Sequence, residues 1–190
     1  IFSTTVSAAS LAGGDGVDSF SFGANITGST LNAGSGNDSL TLTVNVFNSY
    51  ISTDAGTDVV VFATGTTVTS TSVFGGDDQD SLSFLGTINT STIDAGAGDD
   101  TVYFSLALTS TTALGGAGND TLSFANSITA VSLGGDAGSD LISMTAGVFA
   151  STLVGGTDED SFYFGSSVYG SYVSLDVGSD LAVFNNNTIS

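Results

Sequence analysis

The chain has 190 residues and 19 acidic side chains but no lysine, arginine, histidine, cysteine or proline, so its formal net charge is −19. Without basic side chains it cannot neutralise phosphates, which excludes nucleic acids and anionic membrane surfaces as partners, and without cysteine it cannot form disulfides. No apolar run approaches the roughly 20 residues of a membrane-spanning helix, so membrane insertion is not expected.

A glycine-rich segment that ends in aspartate recurs along the whole chain, for example as "GGDGVDSFSF" from Gly13 and "GGAGNDTLSF" from Gly115. The nine closing aspartates are 20 residues apart, except for a spacing of 22 between the third and the fourth. They are Asp18, Asp38, Asp58, Asp80, Asp100, Asp120, Asp140, Asp160 and Asp180. A fixed period over many units predicts a solenoid, in which each repeat packs on its neighbours. The two extra residues fall in "ATGTTVTSTS", where a loop away from the acidic turn can absorb them.

A strand is predicted directly after each closing aspartate, because the second and fourth residues that follow are apolar and those between are mostly Ser, Thr or Tyr. This alternation is typical of a strand with one buried face. Although strong charge is common in disordered chains, 41% of these residues are hydrophobic and evenly spaced, which favours a folded core. Stacking of like positions predicts an interior ladder of Phe22, Phe62, Phe84, Phe104, Phe124, Phe164 and Phe184, completed by Leu42 and Met144.

A second strand is predicted before each following glycine-rich turn, with its inward residue seven positions before the next closing aspartate. The inward residues are Leu31, Ile51, Val73, Ile93, Leu133, Leu153 and Val173. Their Ser and Thr neighbours favour strand over helix. We therefore predict an all-β parallel solenoid, or β-roll, of about nine coils, each with two strands and two turns, as a single segment over residues 1–190.

The acidic residues are predicted to share one edge of this solenoid, because all 19 lie in seven-residue windows that end at the closing aspartates. Like charges stacked at the spacing of strands oppose folding unless they are neutralised. Calcium can neutralise them, since it binds six to eight oxygens of carboxylates and backbone carbonyls, and glycine lets those carbonyls come close. One ion between each pair of successive turns, about eight Ca²⁺ ions in all, would bring the edge close to neutrality.

These segments resemble the calcium-binding nonapeptide of the repeats-in-toxin (RTX) family, G-G-x-G-x-D-x-U-x, in which U is a large apolar residue. The match is close at Gly13, Gly14, Gly16, Asp18 and Phe20, and the resemblance covers the whole chain. It implies that aspartate side chains and turn carbonyls of successive coils share each calcium ion. The candidate metal residues are the closing aspartates with Asp78, Asp158, Gly14, Gly16, Gly34, Gly36, Gly96, Gly98, Gly116, Gly118 and Gly138.

Two departures from the family motif affect this prediction. The turn opposite the glycine-rich segment contains no acid, so calcium is expected on one edge only. The third glycine is replaced by Asp78 and Asp158, and the second by Asp54, Asp136 and Asp176. These aspartates either add a carboxylate to the site or distort the turn.

Catalysis is not expected, because a chain without His, Cys, Lys or Arg offers only the aspartates of the calcium edge for acid–base chemistry. Ice binding is disfavoured, since an ice-binding member of the family would show a regular Thr and Asn pair around the third turn glycine. Those positions vary here, from Asp15 and Val17 to Ala137 and Ser139.

The leading hypothesis is a structural, calcium-stabilised extracellular module in a surface (S-) layer, filament or adhesin stalk at the cell surface. The alternative is the calcium-triggered folding and secretion domain of a larger secreted toxin or hydrolase, which the flanking chain would distinguish. The polar exterior favours the scaffold, and weak calcium sites suit an extracellular location.

The two ends of the chain stay in the repeat pattern, with Phe2 and Val6 standing where Phe22 and Ile26 stand one unit later. Neither end shows a helix or a charged cap of the kind that closes a solenoid. We therefore expect the repeats to continue in a longer array, or the chains to self-associate end to end or side by side.

Overall fold

The computed structural model describes residues 5–185, which form a parallel β-solenoid of 27 strands in three nine-stranded sheets. Each coil contributes one strand to each sheet, and each strand pairs with its equivalents in the coils before and after it. The predicted all-β solenoid of about nine coils is confirmed. The prediction of two strands in each coil is wrong, because each coil has three. Phe2 lies outside the described residues.

The first sheet begins directly after the closing aspartates, and its strands are Ser19–Phe22, Ser39–Leu42, Val59–Phe62, Ser81–Phe84, Thr101–Phe104, Thr121–Phe124, Leu141–Met144, Ser161–Phe164 and Leu181–Phe184. The second sheet has short strands, which are Val6–Ser7, Ile26–Thr27, Val46–Phe47, Thr67–Thr69, Thr87–Asn89, Leu108–Thr109, Ile128–Thr129, Val148–Phe149 and Val168–Tyr169. The third sheet comprises Ser10–Asp15, Thr30–Ser35, Tyr50–Ala55, Ser72–Asp77, Thr92–Ala97, Thr112–Ala117, Ser132–Ala137, Thr152–Thr157 and Tyr172–Val177. Within the described range, no helix is long and apolar enough to cross a bilayer.

The second sheet escaped prediction because each of its strands has a single inward residue. Val46 and Ile88, for example, are buried between polar or outward neighbours, so no alternation marks the strand. The strands of the third sheet also run further than predicted. In Thr112–Ala117 the strand continues through two glycines of the repeat and ends three residues before Asp120, so the glycine-rich segment is partly strand.

The two extra residues between Asp58 and Asp80 lie in a turn after the first sheet, as predicted. There the N–H of Thr66 donates to the carbonyl oxygen of Ala63 at 3.2 Å, and Gly65 takes a φ of 83°. The register is restored at once, because Val68 pairs with residues of equivalent position in both neighbouring coils. The insertion therefore does not change the register of the acidic edge.

The predicted aromatic ladder forms the centre of the core. Phe62, Phe84, Phe104 and Phe124 are buried, and successive rings stack with centroids 4.9, 5.0 and 4.9 Å apart and planes within 14° of parallel. Leu42 and Met144 fill the same row, and the inward residues predicted for the third sheet are buried except for the half-buried Val173. In the last described coil Phe184 stacks on Phe164 but is 38% exposed.

Replacement of an interior ring should therefore cost more stability than replacement of the last one. Phe104→Ala removes a ring stacked on both faces, and we expect it to lower the free energy of unfolding by about 3–5 kcal/mol. Phe184→Ala is the matched control and should cost clearly less, because its ring is partly exposed. Urea unfolding followed by circular dichroism measures both losses, and equal losses would contradict the stacked core.

Candidate metal centre

The nine closing aspartates form one continuous row, here called the acidic ladder, at the corner between the third and first sheets. In eight steps the backbone N–H of one aspartate donates to Oδ1 of the aspartate in the next coil, at 2.6–3.0 Å. Between Asp100 and Asp120, for instance, this distance is 2.8 Å. The repeat thus requires aspartate at this corner partly because its carboxylate satisfies an amide that neither sheet pairs.

The other carboxylate oxygen, Oδ2, accepts no hydrogen bond in the eight ladder residues from Asp18 to Asp160, although it is buried. Interior ladder side chains such as Asp58 and Asp100 are no more than 1% exposed. A buried anionic oxygen without a donor is costly, and the sequence provides no cationic side chain to pair with it. The ladder therefore needs protons or cations from solution.

In five coils Oδ2 lies over the main chain of a glycine, five positions before its aspartate. At Gly115 the point that a Cβ would occupy is less than 3.0 Å both from Oδ2 of Asp120 and from the carbonyl oxygen of Gly135 in the next coil. We call the gap between such a carboxylate oxygen of one coil and the carbonyl oxygen of the next a cradle. The same arrangement is found at Gly13, Gly75, Gly135 and Gly155.

The donor set of a cradle fits calcium, which prefers carboxylate and carbonyl oxygens and bridges groups of varied geometry. Among residues 5–185, no three acidic side chains converge on one point, so a cation at the ladder would draw further oxygens from the backbone. The ladder contains no nitrogen or sulfur ligand of the kind that zinc favours. The residues present therefore fit a hard divalent cation held between adjacent coils.

The predicted turn glycines are required by backbone conformation and by close packing of the coils. Gly14, Gly16, Gly34, Gly36, Gly96, Gly98, Gly116, Gly118 and Gly138 have φ values between 105° and 143°, which L side chains rarely adopt. A Cβ on Gly116 would clash with the carbonyl oxygen of Gly96, and a Cβ on Gly118 with that of Gly98. These glycines let successive turns stack and so bring the ladder oxygens together.

The two aspartates that replace the third glycine keep its left-handed conformation. Asp78 and Asp158 have φ values of 72° and 78°, and both are exposed. Their carboxylates are thus at the surface, whereas the ladder carboxylates are buried. The turn is not distorted, and both carboxylates are near enough to the ladder to raise the pKa of Asp80 and Asp160.

The aspartates at the second glycine position also take positive φ, with values of 65°, 77° and 57° at Asp54, Asp136 and Asp176. Asp54 accepts hydrogen bonds from Asn32 Nδ2 at 2.7 Å and from Ser52 Oγ. Its carboxylate is thus held by these hydrogen bonds, while its charge helps to raise the pKa of the ladder residue Asp58.

A second buried ladder, of hydroxyl groups, was missed by sequence reasoning. It lies at the corner between the second and third sheets and consists of the buried Ser29, Ser49, Thr71, Ser91, Thr111 and Ser151 and the half-buried Ser171, with Val131 interrupting it. The N–H of Ser29 donates to Oγ of Ser49 at 3.2 Å, and that hydroxyl donates to the carbonyl oxygen of Phe47 at 2.8 Å. The 20-residue period of these residues was the available signal, but it is masked because Ser and Thr are abundant throughout the chain.

The hydroxyl ladder accepts hydrogen bonds from backbone amides at its corner, as the acidic ladder does, but it carries no charge. Ser and Thr supply both a donor and an acceptor, so each hydroxyl can satisfy an amide and still be satisfied itself. This corner needs no counter-ion, which agrees with the absence of acids from the opposite turn in the sequence.

Burial raises the pKa of six ladder carboxyls above the ordinary aspartate value of 3.8, namely those of Asp58, Asp80, Asp100, Asp120, Asp140 and Asp160. Burial brings the pKa of Asp80 and Asp140 to about 7 and that of Asp120 to about 6. The amide donated by the preceding aspartate opposes this rise, and neighbouring carboxylates add to it. Without a cation the folded ladder therefore favours protonated carboxyls.

Comparisons with known proteins support the fold. No protein-family model matches the sequence, and no curated protein matches it. Among solved structures the chain is similar to one described as a hyperactive, Ca²⁺-dependent, β-helical antifreeze protein from an Antarctic bacterium. The TM-score is 0.72 at 16% sequence identity, and the alignment covers 99% of this chain and 72% of that one. At this identity the similarity establishes the β-solenoid fold.

The raised pKa values predict an unusual pH dependence when divalent cations are removed. Between the unfolded value of 3.8 and the folded values near 7, the folded chain binds more protons than the unfolded chain. The free energy of unfolding should therefore fall as pH rises, and the ladder contribution should be lost above about pH 7. The β-sheet circular dichroism in excess chelator, compared at about pH 5 and about pH 8, tests this. A β-sheet signal that is stronger at about pH 8 than at about pH 5 would contradict it.

Asp120→Asn separates two properties of a ladder carboxylate, which are its hydrogen bond to the backbone and its buried charge. The amide oxygen can still accept from the N–H of Asp100, while an NH₂ group faces the carbonyl of Gly135 and the buried charge is removed. We expect the cation-free fold at neutral pH to gain on the order of 1–3 kcal/mol, whereas the calcium concentration at half-folding should rise. Glu159→Gln, which removes a charge from an exposed side chain, is the control and should change neither quantity appreciably. A fall in cation-free stability in Asp120→Asn would argue against a charge penalty.

Proposed function

We propose that the chain is a structural repeat module, stabilised by calcium along the acidic ladder, in a protein of the cell surface such as an S-layer, filament or adhesin stalk. One observation carries this proposal. Eight buried Oδ2 atoms in succession accept no hydrogen bond, and at five of these positions a carbonyl oxygen of the next coil approaches the same point. Such a row is stable only when its charge is compensated.

Calcium would compensate the negative charge of the ladder and cross-link adjacent coils. Its ligands would be the ladder carboxylates and the backbone carbonyls that border the cradles, such as Asp120 and Gly135. Because these two oxygens belong to adjacent coils, each bound ion joins one coil to the next. Binding to the folded state alone then stabilises the stack by mass action.

The hydrogen bonds that the ladder carboxylates accept support a structural role. Each ladder Oδ1 already accepts a backbone amide, and a sequence without His, Cys, Lys or Arg supplies no other base or nucleophile-activating group. We therefore infer a non-catalytic protein. An extracellular location fits because weak oxygen-ligand sites fill at the millimolar calcium found outside cells.

The solved structure of similar fold supports the calcium part of the proposal, since its description calls that protein Ca²⁺-dependent. We likewise infer that the glycine-aspartate segments are RTX-type repeats. The antifreeze activity named for that protein is not part of the proposal for this chain. The exposed positions around the third turn residue do not repeat here, as Asp77 and Gln79 in one coil and Thr157 and Glu159 in another show.

Removal of calcium should unfold the module at neutral pH. We expect the β-sheet circular dichroism of the calcium-loaded protein to disappear in excess chelator and to return cooperatively on addition of calcium. Magnesium should be less effective, because it holds its waters and demands octahedral geometry. An unchanged β spectrum after complete chelation, verified by metal analysis, would refute calcium-dependent folding.

A further inference from the structure

The acidic ladder is not uniform at the residue five positions before each aspartate. In five coils this residue is glycine, in two it is alanine, Ala33 and Ala95, and in the last it is Leu175. In the third repeat the residue is Thr53, whose side chain is fully buried. Among these nine positions, Thr53 alone brings a hydroxyl group to the ladder.

The hydroxyl of Thr53 donates to the carbonyl oxygen of Gly75 at 2.7 Å. Gly75 is the equivalent residue of the next coil, so this carbonyl corresponds to the one that borders the cradle at Gly115, where it belongs to Gly135. Because it accepts this hydrogen bond, the carbonyl oxygen of Gly75 is directed at a hydroxyl group and not at a cation. Within the glycine coils the corresponding carbonyl has no such donor, because glycine carries no hydroxyl.

Thr53 differs from the other residues at this position by its hydroxyl and not by its Cβ, because Ala33 and Ala95 also carry a Cβ but no donor. Thr53 adds a hydroxyl and a methyl group beyond Cβ. The ladder itself continues unbroken, since the N–H of Asp58 donates to Oδ1 of Asp80 at 2.8 Å.

We propose that the position between Asp58 and Gly75 binds no calcium, because Thr53 replaces the ion there with a hydrogen bond between the two coils. This inference rests on the proposed calcium function of the ladder. It makes residue 53 a determinant of how many ions the module takes. The bound ions are then divided into two blocks, one before Asp58 and one after Asp80, joined by a link that does not depend on calcium.

The number of bound calcium ions tests the proposal directly. Native mass spectrometry and equilibrium dialysis at saturating calcium should show one more ion in Thr53→Gly than in the wild-type protein. Thr152→Gly is the matched control, because it makes the same replacement at an exposed position of a third-sheet strand. It should leave the number unchanged. The reverse exchange, Gly115→Thr, should remove one ion.

Each outcome bears on a different claim. A wild-type protein that binds calcium in the same number as a folded Thr53→Gly overturns this proposal but leaves the calcium function intact. A wild-type protein that binds no calcium overturns both. If Thr53→Gly does not fold, anomalous scattering from calcium-bound wild-type crystals decides, since density between Asp58 and Gly75 overturns the proposal, whereas density at the Gly115 cradle alone supports it.

Discussion

The structure depends on one constraint, which is that a carboxylate must be buried in every coil without any cationic side chain to pair with it. The constraint arises from the backbone, because the corner between the third and first sheets leaves an amide that only the aspartate of the next coil satisfies. The hydrogen bond through Oδ1 holds the coils in register, and the same geometry leaves Oδ2 buried. Stability and dependence on solution ions therefore have a single origin in the same side chain.

The regularity of the coils follows from the parallel pairing of their strands, to which the acidic ladder and the ring stack each add a contact in every coil. Phe104 and its neighbours stack at the spacing of the coils, and the ladder aspartates join each turn to the next. A loop such as 63–66 can lengthen because it touches neither row. This explains how a 22-residue unit is accommodated among 20-residue units without loss of register.

Much of this fold could be predicted from the sequence, because the information is periodic. Phe84 and Phe104 follow an apolar–polar alternation, and nine aspartates repeat every 20 residues with one spacing of 22, so the solenoid, the core row and the shared acidic edge could be predicted. The second sheet could not be found, since a lone inward residue such as Val46 has no pattern of its own. The hydroxyl ladder was hidden because serine is abundant throughout the sequence, whereas the burial of Ser49 is visible only in the structure.

The candidate site was predictable in its residue types but not in its atomic arrangement. The sequence placed the ladder aspartates on one edge, but it could not show that one oxygen is used by the backbone while the other is buried. Nor could it distinguish Thr53 from an ordinary strand residue, because the hydrogen bond to Gly75 joins residues 22 positions apart. Such differences arise from the contact of neighbouring coils, which no single repeat contains.

The contrast between the two ladders has an electrostatic consequence. The hydroxyl corner is uncharged, whereas repulsion along the acidic corner depends on pH and ionic strength. Each coil is therefore joined to the next by one corner that is insensitive to the composition of the solution and by another that responds to it.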